Sequence, residues 1–220
     1  MRTAAFILLI LSACALAQTT RATIEPALLE KLNALDTKAA AIKDLSAKFE
    51  QQKITPLLKK PLTSRGSVSA TRDVMLWTTD APTATRMRVD DKALQLLYVE
   101  QKVLEVYPVQ GKLGSLAANP LPRLSTLMEQ FEVTGVGDVS GLVLRLTPRD
   151  AKLGEHVDHV IVELDQERGV VKRFELTDPD GERTIIRFED YKLNVGLTAE
   201  DLSIRAPADA RVVHPLERSQ

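Results

Sequence analysis

Hydrophobic positions along the chain change period more than once. From Pro26, the residues Leu28, Leu32, Leu35, Ala39 and Ile42 recur at helical spacing, while Glu30, Lys31, Asp36 and Lys38 fall off that stripe, which predicts an amphipathic helix. At Leu45, Ala47 and Phe49 the period drops to two against Ser46, Lys48 and Glu50, as a half-buried strand requires. Short strands then follow in quick succession. Val68 and Ala70 alternate with Ser67, Ser69 and Thr71; Met75 and Trp77 share the next run; Thr85, Met87 and Val89 alternate with Ala84, Arg86 and Arg88. Asp90-Asp91 reads as a turn before Ala93 to Val99, and Val103 to Tyr107 completes an antiparallel meander.

A second helical segment interrupts the meander. Pro120 and Pro122 precede Leu124, Leu127, Met128 and Phe131, which would share one helix face. Alternation resumes at Leu142, Leu144 and Leu146, at Val160, Val162 and Leu164, and at Phe174 and Leu176. The turn Asp178-Pro179-Asp180-Gly181 leads into Ile186 and Phe188. About ten strands with one apolar face and two amphipathic helices make an α+β domain. The expected architecture is one large curved antiparallel sheet, an incomplete β-barrel, with the helices against its concave side. Gly111 to Asn119 and the tail after Pro207 read as loops, and no domain boundary or repeat is visible.

The first residues are patterned differently. Arg2 precedes the apolar run Ala4 to Leu11, and Ala15-Leu16-Ala17 offers the small residues that a leader peptidase requires. Residues 1–17 are therefore expected to be a signal peptide cleaved before Gln18, with residues 18–220 forming the mature domain. Leu11-Ser12-Ala13-Cys14 also has the form of a lipobox, in which Cys14 would be acylated and become the first residue. No other run approaches the ~20 apolar residues that span a bilayer.

Composition narrows the function classes. The 29 Lys+Arg nearly cancel the 30 Asp+Glu, which argues against a nucleic-acid partner. Cys14 is the single cysteine, so neither a disulfide framework nor a cysteine-rich metal cluster is expected. On a strand, His156 and His159 would point to opposite faces, which argues against a metal site. The sequence has no Gly-x-Ser-x-Gly elbow and no Walker-type loop. Asp90-Asp91 and Glu189-Asp190 sit at turns or strand ends and are expected to be solvated. Neither enzyme activity nor a cofactor is expected, and a secreted hydrolase would lack a nucleophile motif.

One stretch resembles a known family. Ile42-Lys43-Asp44-Leu45-Ser46-Ala47-Lys48-Phe49-Glu50-Gln51, then Gly66-Ser67-Val68-Ser69, Arg72 and Trp77, follow the order seen in the LolA family of periplasmic lipoprotein carriers. In that family a helix runs into an L-x-A-x-F-x-Q strand, a small-residue strand, an Arg-Pro step and a Trp-bearing strand. Leu197 to Ser203, continuing to Val212-Val213, is similar to the family's C-terminal strand. Two departures stand out: Arg72 is followed by Asp73, and Thr55 to Leu62 forms an insert.

The resemblance implies an incomplete barrel closed by helices around a greasy cavity for acyl chains. Leu45, Phe49, Val68, Met75, Trp77, Met87 and Val89 would line it from the strands, and Leu124, Leu127, Met128 and Phe131 from the second helix. The same alternation also fits a filled core in which these side chains pack one another. Arg72 would hydrogen-bond lid backbone and latch the empty cavity, or else be a solvated turn arginine. Implied partners are an acylated lipoprotein or other lipid cargo, an inner-membrane donor complex and an outer-membrane acceptor, with the protein a periplasmic monomer. A second reading, an anchored outer-membrane receptor or envelope sensor of the same fold, follows if Cys14 is acylated.

Overall fold

A computed structural model describes residues 25–108, 124–135 and 141–216. The leader and its two processing sites, and Gly111 to Asn119, lie outside the described residues. Helix α1 (Pro26–Ala41) opens on Pro26, where the missing N–H breaks no helical bond, and buries Leu28, Leu32 and Leu35. It ends where Ile42 turns extended and feeds β1 (Asp44–Ile54). The first meander continues through β2 (Leu62–Thr71), β3 (Met75–Ala81), β4 (Thr85–Val89), β5 (Ala93–Tyr98) and β6 (Val103–Pro108). Helix α2 (Leu124–Gln130) leads directly into β7 (Phe131–Gly135). The second meander comprises β7, β8 (Leu142–Pro148), β9 (His159–Asp165), β10 (Val170–Thr177) and β11 (Arg183–Leu193), with a single-turn helix α3 (Ala151–Gly154) after β8 and a last strand β12 (Arg211–Val213).

Among the described residues, 12 strands form one open sheet in the order β12-β6-β5-β4-β3-β2-β1-β11-β10-β9-β8-β7. The two meanders join in the middle, where β1 pairs antiparallel with β11 from Leu45↔Leu193 to Ile54↔Arg183. The sheet differs from the expected antiparallel one at its edge, because β12 pairs parallel with β6, Val212 opposite Leu104. The tail after Pro207 is thus not all loop. Three residues are too few to show a period in sequence.

Helix α1 lies across the concave face, and its leucines share one core cluster with the inward residues of both meanders. Its start packs on β7, where a Cβ on Gly135 would lie 3.3 Å from Leu28 Cδ2. Its last turn meets the β9–β10 turn. Gly169 there has φ +73, a Cβ on it would lie 2.9 Å from Lys38 Cβ, and Lys38 Nζ donates to the Gln166 carbonyl at 2.6 Å. Both the left-handed backbone and the close approach require glycine.

The chain after β11 crosses the convex face as a strap. It is pinned at the start by buried Asp44, whose carboxylate accepts the Val195 and Gly196 N–H groups at 2.7 and 3.1 Å. Further along, Arg88 Nε donates to the Leu202 carbonyl at 3.0 Å. Leu202 and Leu97 are both buried there, outside the main core cluster. On the same convex face, buried Glu175 accepts from Arg183 Nε at 2.6 Å and from Arg173. A carboxylate so placed satisfies two guanidinium forks at once.

The inner face as a candidate binding site

Strand register places the sequence-predicted lining residues on one face. Leu45, Ala70, Met75, Val89, Leu94 and Tyr107 form one cross-strand row from β1 to β6. Ala47, Val68, Trp77, Met87, Leu96 and Glu105 form the next, and Phe49, Gly66, Thr79, Thr85, Tyr98 and Val103 the third. Gly66 is opposite Phe49 because nothing larger fits: a Cβ there would lie 1.8 Å from the Thr78 carbonyl oxygen.

Burial along these rows falls off in one direction. Leu45, Val68, Phe49, Met75, Trp77 and Val89 are buried, whereas Met87, Leu94, Leu96, Tyr98, Val103 and Tyr107 are only half-buried. The β1–β3 part is a packed floor. Phe49 meets Trp77 edge-on at 4.6 Å, and Phe188 lies 5.8 Å beyond. Tyr191, whose hydroxyl donates to the Val171 carbonyl, extends the cluster at 6.3 Å from Phe188. Burial pushes its phenol pKa up. The β4–β6 part is an apolar wall with one side still accessible.

From the helix side, Leu127 and Met128 are half-buried against the core, and Leu124 opens α2. Phe131 differs from expectation. It does not sit on the second helix but begins β7, buried on the concave face opposite Pro148. The helical phase persists by coincidence into the strand, because a residue that follows the last turn of α2 can still point at the same core.

Polar atoms on this face are few. The Trp77 indole Nε1 is buried with no hydrogen-bond partner among the described residues. Glu105 and Tyr107 form a 2.7 Å pair on the open wall, and the carboxylate raises the Tyr107 pKa above the usual phenol value. Arg72, in the exposed turn between β2 and β3, donates through Nη2 to the Ala40 carbonyl in the last turn of α1. A cation there also meets the negative end of the helix dipole.

Other sequence candidates separate from this face. His156 lies in the turn after α3, not on a strand with His159, and His159 Nδ1 lies 2.6 Å from Asp158 Oδ2. Among the described residues no group of three or more His, Cys, Asp or Glu is placed to hold a metal. Asp90 is not a solvated turn residue. Burial works against its charge, but the Ala93 and Lys92 N–H groups and the Arg88 guanidinium, 2.5 Å away, hold its pKa below the usual aspartate value. Asp190 is exposed, as expected, and pairs with Lys48 at 2.7 Å beside a shallow depression over the β1 bulge.

The residues sequence reasoning left unassigned are those of the open wall: Leu94, Leu96, Tyr98, Val103 and Tyr107. Their strands read as nearly continuous apolar runs, ALQLLY and VLEVYP, because the strap covers the outer side of β5 as well. Alternation could not say which residues face inward.

Solved structures resemble this fold at low identity. An uncharacterized conserved protein from Thermus thermophilus is 13% identical with a TM-score of 0.58, covering 86% of this chain and 99% of its own. MucB is 16% identical with a TM-score of 0.52, over 86% of this chain and 66% of its own. A putative outer membrane lipoprotein-sorting protein domain from Vibrio parahaemolyticus is 14% identical with a TM-score of 0.47, over 79% and 95%. No curated protein matches the sequence. The family model described as outer membrane lipoprotein carrier protein LolA matches residues 40–204, which runs from the end of α1 through both meanders and into the strap. By that match, the chain belongs to the LolA family.

Proposed function

We propose that this protein carries the acyl chains of lipoproteins, or of a related amphiphile, against the inner face of β4–β6, and moves them through the periplasm from the inner to the outer membrane. The observation that carries this reading is the half-buried wall that includes Met87, Leu94, Leu96 and Tyr98, on a face whose β1–β3 floor is packed. Each buried CH₂ gains about 0.8 kcal/mol, so a chain of ~16 carbons gains on the order of ten. Methionine suits a wall that must also let go, because its flexible thioether adapts to different shapes.

In this reading Arg72 is the latch of the cargo-free form. Its bond to the Ala40 carbonyl ties the β2–β3 turn to α1, the helix that would have to shift for a chain to enter beneath it. The chain is expected to begin at Gln18 after export. Among the described residues no helix is long and apolar enough to cross a membrane. The Leu11-to-Cys14 sequence favours a second reading, an anchored receptor or sensor; palmitate labelling that disappears in Cys14→Ser would select it.

Trp77 supplies the test, since it is the single tryptophan and sits on the floor beside the open wall. Addition of a long-chain acyl lipid should change its fluorescence saturably, and protein isolated from the cell envelope should release acylated molecules on mass analysis. An unchanged signal together with lipid-free protein would overturn the carrier reading.

A further inference from the structure

The hairpin between β1 and β2 extends beyond the ladders that join it to β11 and β3. β2 pairs with β1 from Leu62 onward but with β3 only from Arg65 onward, and β11 begins at Arg183, opposite Ile54. The turn Thr55–Pro61 therefore lies beyond the last β1–β11 and β2–β3 pairs, at the opposite end of the strands from Arg72, with the β10–β11 turn beside its base. It is anchored by buried Thr55, whose carbonyl accepts the Leu58 N–H at 3.2 Å. Its apolar side chains turn outward: Leu57 is 88% exposed, Leu58 45% and Leu62 54%.

Exposed leucines concentrated on one projecting turn, beside exposed Lys59 and Lys60, are not an ordinary solvated loop. Acidic groups at this end of the sheet include Asp80, which pairs with Arg86 at 3.7 Å, and those of the β10–β11 turn. Asp178 accepts the Asp180 and Glu182 N–H groups, and Glu182 pairs with Lys53 at 3.0 Å, which leaves Asp180 as the exposed acid on that side. No acidic residue lies between Lys53 and Arg65.

We propose that this finger seats on an anionic bilayer surface, with Leu57 and Leu58 entering the acyl boundary while Lys59 and Lys60 stay among the phosphates. Leucine supplies apolar area, and lysine is drawn to the negative surface with its ammonium kept at headgroup level. A narrow tip offers far less area than the roughly 800 Å² per partner of a stable protein interface, but a fluid surface needs no matching shape. The proposal does not depend on the cargo reading, because the finger stands apart from the open inner wall.

Co-sedimentation with lipid vesicles tests it, using protein that carries Cys14→Ser so that no acyl anchor contributes. Binding to phosphatidylglycerol–phosphatidylcholine vesicles should exceed binding to phosphatidylcholine alone. It should fall about tenfold in Leu57→Glu/Leu58→Glu and about threefold in Lys59→Ser/Lys60→Ser, the second loss vanishing at high salt. Vesicle binding that is absent, or equal in the leucine variant and the parent, would overturn the proposal. So would self-association that only the leucine variant abolishes, which would assign the finger to a second copy of the chain. Tryptophan fluorescence with acyl lipid, read in parallel, keeps a failed finger distinct from a failed cargo site.

Discussion

The two wings of the sheet are built from the same kind of strand and have different interiors. On the β7–β11 wing, Leu144 and Leu164 have no exposed surface and Val133, Leu146, Val160 and Val162 little, because α1 lies over them. On the β4–β6 wing the equivalent positions Met87, Leu94 and Leu96 remain half-buried. Both wings present mostly apolar side chains inside, although the β4–β6 wing also carries Thr85 and Glu105. The difference arises from where α1 lies: it starts at Gly135, passes the Gly169 turn and ends near Arg72. Apolar character alone therefore does not distinguish a packed core from an open wall; the cover does.

The sharpest way to break this comparison is to place the same charge on the floor and on the wall. Met75 is buried and Met87, two strand positions away on the neighbouring strand, is half-open. Met75→Glu should cost several kcal/mol, since an unpaired carboxylate is stranded in packed surroundings. Met87→Glu should remain folded yet lose acyl-lipid binding roughly tenfold or more. Thermal unfolding and lipid titration, run on both variants, separate the cases; equal loss of stability would mean that the wall is as filled as the floor.

Cavity-making substitutions probe the same contrast more gently. Leu144→Ala should cost about 3 kcal/mol, whereas Leu96→Ala should cost about 1, because part of its surface is already uncovered. Denaturant midpoints with unchanged slopes would show this difference, and similar values would remove it.

Arg72 tests the link between the wings. Loss of its bond to the Ala40 carbonyl should weaken the cargo-free form by about 1.5 kcal/mol, which is roughly tenfold in the balance of closed and loaded forms. Arg72→Leu should load from donor membranes as well as the parent and unload more slowly to acceptor membranes. Poor loading with normal unloading would make Arg72 a docking residue instead.

The smallest effect belongs to the open wing's own turn. The depressed pKa of Asp90 means that its stabilisation is present above the ordinary aspartate value and is lost as pH falls through the lower folded value. Asp90→Asn should lose about 1 kcal/mol near neutral pH. The gap to the parent should close on acidification below roughly pH 4, which a pH series of melting temperatures would reveal.

Much of this fold is legible in the sequence. Leu45, Ala47 and Phe49 alternate because β1 has one covered face, and the same holds for β8 and β9. β5 and β6 hid their inward side because the strap with Leu202 buries Leu97 from outside. α3 depends on a local device, Asp150 accepting the Lys152 and Leu153 N–H groups, which leaves no periodic trace over four residues. Asp44 and Glu175 carry no local sequence signal because their partners, Val195 and Arg183 among them, come from elsewhere in the chain. The lining face could be named from alternation, but its open half could not. That depends on the resting place of α1, a tertiary fact with no local signature.

The short strand β12 has a consequence for how copies of this protein coexist. An open sheet ends in unpaired N–H and C=O groups, and β6 would present them from Val103 to Pro108. β12 occupies Val103, Leu104 and Glu105 in parallel, and its own free side is only three residues long and begins with exposed Arg211. A stub of that length gives a neighbouring chain too little ladder to zip onto. β12 thus shields the β6 edge from pairing with another copy.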